Sequence, residues 1–130
     1  MTDDPRHKLY GTPLSEWIAL IPGELPRDAV GLFQIVPAGR DGFGLKGAAL
    51  TDFVRRGIHA LLDAGAVPVR GGKGTGYEWL AQKQYGTAKE EITEAIIREW
   101  LALPDDPLVL CGDGVWFARP EPGTKYVKLD

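Results

Sequence analysis

Apolar positions along the chain fall into two rhythms, one helical and one alternating. Leu14, Trp17, Ile18 and Ile21 recur at i, i+3, i+4 and i+7, one face of a short helix. Thr12 suits its cap, Pro13 its first position, and Pro22-Gly23 its end. Val30 to Val36 is an apolar, β-branched run with Gln34 as its one polar side chain, and predicts a largely buried strand. Pro37 to Gly44 is punctuated by glycine and predicts a sharply turning loop. A second helix starts between Lys46 and Thr51. Its stripe is Leu50, Phe53, Val54, Ile58, Leu61 and Leu62, with Gly57 placed for close packing and Gly65 as the stop. Ala66 to Arg70 predicts a short strand, in which Pro68 points to an edge or an irregular position.

Gly71 to Gly76 reads as a flexible loop, and Tyr77 to Tyr85 alternates like an amphipathic strand. Thr87-Ala-Lys-Glu90 has the form of a capping box opening a third helix. That helix buries Ile92, Ala95, Ile96, Trp100 and Leu103, pairs Glu94 with Arg98, and stops at Pro104. Leu108 to Arg119 predicts a hairpin around Asp113-Gly114, and Gly123 to Leu129 a final edge strand. The expected fold is α+β: about three helices packed on one face of a small mixed, mostly antiparallel sheet of four to six strands. A flexible N-terminus over 1–12 leads into a single domain over 13–130, within the usual size of one domain.

Composition narrows the chemistry. Cys111 is the single cysteine, so no internal disulfide forms, cysteine-based zinc sites lack ligands, and a reducing compartment is favoured. The histidines are His7 and His59, too few for a histidine-rich metal site. With no apolar leader and no window approaching the ~18 apolar residues of a membrane helix, the expectation is a cytoplasmic protein with no membrane partner. No metal or cofactor is expected. Gly74 follows Lys73 where a P-loop has Ser or Thr, and position 67 is Val, so Gly71 to Gly76 is not that motif. The net charge of −3 hides an asymmetry. Eight cations face four anions over 40–89, and four face nine over 90–130. Such a division can steer an anionic partner or draw two copies together; a merely solvated surface explains it too.

Candidate binding chemistry follows from charge and aromatic placement. Arg40 and Lys46 flank the 37–46 loop, between a predicted strand and helix, where an anion could settle. Turn geometry accounts for the same glycines. Arg55, His59 and Asp63 stand one above another at i, i+4 and i+8: His59 with Asp63 would make a base and Arg55 an anion clamp, or the three would make a hydrated helix face. Lys73, Tyr77 and Trp79 extend this set to the glycine-rich loop and its strand. Trp17 and Trp100 are read as core, whereas Trp79 and Trp116 could face outward as a cleft or dimer surface. Cys111, in an apolar run, reads as a small buried residue rather than a nucleophile.

The phrases Gly31-Leu-Phe-Gln-Ile-Val36, Arg40-Asp-Gly-Phe-Gly44, Phe53-Val-Arg-Arg-Gly57 and Val69-Arg-Gly-Gly72 resemble a family of small bacterial proteins with no assigned function. The resemblance spans roughly 14–119, carries no catalytic motif, and implies a bacterial source and a stand-alone domain. Lacking a catalytic set, the chain reads first as a non-enzymatic binding or assembly module, acting on another protein or as a homodimer. The alternative is a small anionic-ligand receptor or small enzyme at the 37–46 loop. A winged-helix nucleic-acid binder ranks last. Its reading helix would present Glu90, Glu91, Glu94 and Glu99 to phosphates that require cations.

Overall fold

The computed structural model describes residues 5–24, 30–71, 79–102, 115–118 and 127–128. The fold is α+β with a small sheet. Helices α1 (Leu14–Leu20), α2 (Leu32–Pro37), α3 (Gly47–Asp63) and α4 (Lys89–Leu101) accompany strands β1 (Val30–Gly31), β2 (Val67–Gly71), β3 (Trp79–Ala81), β4 (Trp116–Ala118) and β5 (Val127–Lys128). The strand order is β1-β4-β2-β3-β5. β4 runs antiparallel to both β1 and β2, β2 antiparallel to β3, and β5 parallel to β3 at the edge. β1 and β2 therefore share one direction, with β4 inserted between them rather than adjacent as in a simple crossover.

α3 is the hub. It buries Phe53, Val54, Gly57, Ile58 and Leu61, the stripe its 3.6-residue period dictates. A Cβ at Gly57 would stand 3.2–3.3 Å from Ile21 and Ile35, so the bare backbone there lets α2 and the turn after α1 approach. The helix ends in a Schellman motif. Ala66 N–H donates to Leu61 O and Gly65 N–H to Leu62 O, with Gly65 at φ +94°.

Several expectations are corrected. The predicted strand over 30–36 is a strand for Val30 and Gly31 alone; Leu32 to Pro37 form α2. Leu32, Ile35 and Val36 are buried at i, i+3 and i+4, a helical spacing hidden inside an unbroken apolar run. The Gln34 side-chain oxygen accepts the Gly31 N–H at 2.9 Å and caps the helix from within. The segment expected to be a sharply turning loop continues the helix as a π-turn over Ala38–Gly42, with Phe43 N–H donating to Ala38 O. Its glycines serve close packing. A Cβ on Gly39 would stand 2.6 Å from the Phe53 ring, and one on Gly42 2.5 Å from the His7 ring.

Of the strand predicted over 77–85, residues 77 and 78 lie outside the described residues; the described part is a strand at β3, and a 3₁₀ turn at Lys83–Tyr85 then buries Tyr85. Pro68 sits in an inner strand, not an edge. Its carbonyl accepts the N–H of Gln82, the residue just past the end of β3, so its missing donor falls where pairing stops. At α4 the cap position belongs to Ala88, and Glu91, not Glu90, reaches back to accept the Thr87 N–H at 2.9 Å. For α1, Pro13 holds the cap position in place of Thr12. The turn predicted at Asp113-Gly114 lies outside the described residues.

Candidate functional site

The described part of the lead-in, expected to be flexible, folds back on the body. Arg6 bridges Pro13, His7 N–H donates to Thr12 O, and Leu14 N–H donates to Pro5 O. His7 is buried at the centre of this turn. Its Nδ1 accepts the Leu9 N–H at 3.1 Å and the Tyr10 N–H at 3.4 Å. The ring stacks on Trp17 at 4.6 Å and on Tyr10 at 4.8 Å, and meets Phe43 edge-on at 5.4 Å. A polar residue is thus buried with its acceptor satisfied and its ring packed among three aromatic side chains, the condition on which burial is tolerated.

Beside this stack lies an apolar cleft of about 320 Å³, lined by Trp17, Leu20, Ile21, Val30, Gln34 and Ile35. α1 and the turn after it supply one wall, β1 and α2 the other. The oxygen of Gln34 is committed to Gly31, which leaves its amide nitrogen as a hydrogen-bond donor among apolar walls. Among the described residues, large apolar side chains stand exposed at Leu101, at the end of α4, and at three positions on this side of the molecule. Leu9 is 82 % exposed, Tyr10 71 % and Leu20 62 %. Leu20 lines the cleft, and Tyr10 lies 6.2 Å from the Trp17 ring, so the turn bearing Leu9 and Tyr10 adjoins it.

The charged candidates are arranged differently. Arg55 grips Glu94 of α4 with two hydrogen bonds, Nε–Oε2 at 2.7 Å and a second at 3.1 Å. Hydrogen bonding from Arg55 holds the Glu94 carboxyl below its ordinary value, and the same bonds raise Arg55. Asp63 pairs with Lys89 of α4 at 3.1 Å. The column read as base, orienter and anion clamp is therefore a seam that joins two helices: Arg55 already holds a carboxylate, and Asp63 faces Lys89. His59 sits between the pairs, half-buried, with its Nε2 buried and unbonded among the described residues. Glu94 makes its hydrogen bonds across to Arg55, and the charge of Arg98, the partner expected at i+4, also lowers its carboxyl. On the sheet side, Arg70 of β2 reaches the Tyr85 hydroxyl and the Glu99 carboxylate, tying sheet to helix. Burial pushes the Tyr85 phenol up.

Arg40 lies in the π-turn, 3.6 Å from Asp41 across an exposed contact, and Lys46 is exposed at the start of α3. The Trp79 backbone pairs with Gly71 and Val127. Lys73 and Cys111, like Tyr77, lie outside the described residues. Among the described residues, no group of His, Cys, Asp or Glu could hold a metal ion, and no helix is long and apolar enough to cross a membrane.

Sequence reasoning missed His7, Leu9, Tyr10 and the cleft-lining role of Trp17. The signal was present: an isolated Leu9-Tyr10 pair in a polar lead-in. Comparison with protein-family models, with curated proteins and with solved structures finds no match.

Proposed function

We propose that this chain is a non-enzymatic binding module whose recognition element is the apolar cleft between α1 and α2. The observation that supports the reading is the open cleft beside Leu9, Tyr10 and Leu20, all largely exposed. Exposed apolar surface of this kind, rimmed by polar residues, is typical of interaction sites. The cleft volume lies at the small end of ligand sites, roughly 300–1,000 Å³, and suits one apolar side chain or a small aromatic group. Of the charged candidates, Arg55 and Asp63 are, by contrast, spent on joining α3 to α4. The resemblance noted above and the lone cysteine favour a bacterial, cytoplasmic setting for the module.

Titration of dilute native protein with 1-anilinonaphthalene-8-sulfonate tests the reading. Saturable fluorescence enhancement is expected, lost in Leu20→Glu and kept in Arg55→Met. No enhancement with native protein, or equal enhancement in both variants, contradicts it.

A further inference from the structure

We infer that the cleft's occupant is Leu9 of a second copy of this chain, so that two molecules pair face to face about a two-fold axis. The inference rests on the binding-module reading and names its partner. A two-fold contact demands that one patch carry both halves of the interaction, because residue i of each copy must meet residue j of the other. Here an exposed apolar side chain, Leu9, belongs to a turn packed on Trp17, and Trp17 also lines an apolar recess. Leu9 is exposed at the tip of the lead-in turn, and the recess opens beyond Trp17, on which that turn is stacked through His7 and Tyr10. The recess is ample for a leucine side chain and is ringed by the groups that would cover it.

Charge supports the same pairing. Lys8 precedes the protruding leucine and is exposed. Glu16 is exposed one helical turn before Leu20, on the same side of α1 as the recess. Neither has an ion-pair partner among the described residues. Seating Leu9 in the facing recess brings Lys8 of each copy towards Glu16 of the other, two complementary contacts per dimer. The turn arrives preorganised. His7 Nδ1 fixes the Leu9 and Tyr10 amides, so little loop entropy is lost on docking.

Sedimentation velocity of the full chain, from about 5 to about 500 µM to span the Kd of a small interface, tests this. The weight-average mass is expected to rise from 14.2 kDa towards twice that value. Leu9→Asp, at a position too exposed to unsettle the monomer, is expected to raise the dissociation constant about tenfold or more. Lys8→Glu and Glu16→Lys are each expected to raise it about fivefold, and the double variant to return within about twofold of the parent. A monomer throughout overturns the inference, as does a dimer indifferent to Leu9→Asp or a double variant no better than the singles. A monomer that still binds the dye of the preceding test removes the second copy as occupant and leaves the module reading standing; a monomer that binds no dye removes both.

Discussion

Two regions flank the central helix α3 and solve opposite problems. At the α3–α4 seam, charge meets charge: Arg55 with Glu94 and Lys89 with Asp63 close the contact, over the buried Ile92, Thr93, Ile96 and Ile97. At the α1–α2 end, the apolar layer is left open, with Trp17, Leu20 and Ile21 lining an unfilled cleft. Charges that look chemical are structural, and a lead-in that looks inert shapes the surface. A charged side chain says little about function until its partner is known; an apolar side chain left in water at a cleft says more, because covering it is favourable.

The largest expected effect lies where the two regions share a foundation. Phe53 is fully buried and packs 5.7 Å from Phe43, whose ring in turn meets His7 and Trp17. Phe53→Ala is expected to cost about 3–5 kcal/mol in urea unfolding. A loss near zero would mean the ends do not share a core. Next comes Gly39→Ala, whose new methyl collides with Phe53 and Leu50. It is expected to cost about 1–3 kcal/mol by the same measurement, and an unchanged midpoint would contradict the close approach described here.

His7→Ala separates the regions. It strips the acceptor from the Leu9 and Tyr10 amides and opens the aromatic stack, at an expected cost of about 1–3 kcal/mol. Faster amide exchange is expected in residues 5–14 and not in α4; equal acceleration in both would erase the distinction. The smallest effect belongs to the seam. Arg55 and Glu94 are each about a third or more exposed, so solvent screens the pair, and Arg55→Met is expected to cost less than about 1 kcal/mol. The Glu94 carboxyl is held low by Arg55, so its contribution is present above the ordinary carboxylate range and is lost as pH falls through its folded value. The stability gap between parent and Arg55→Met should therefore shrink on acidification and in high salt; a gap that widens in acid would reverse the assignment.

What was legible in the sequence follows from how each element is stabilised. α3 and α4 announce themselves because each buries one face and solvates the other, so the helical period survives in the sequence. α2 does not, because nearly every residue from Val30 to Val36 is apolar, and a run without polar positions has no visible period. Its one clue is Gln34, the single polar side chain of the run, whose oxygen accepts the Gly31 N–H where strand turns into helix. The cleft was illegible for a related reason. Trp17 sits on the apolar stripe of α1, and only the positions of β1 and α2 decide whether that stripe is sealed. The lead-in misled because its hydrophilicity concealed one histidine whose nitrogen satisfies two backbone amides. The Arg55–His59–Asp63 column is legible as one face; the helix that receives it is not, since Glu94 and Lys89 lie far along the chain.

Amide hydrogen exchange at low and at high protein concentration tests the central claim most directly, because it reports where the molecule is covered. The account predicts that protection grows with concentration in the lead-in turn and along α1, while α4 stays unchanged. Growth confined to α4, or none anywhere, would contradict it.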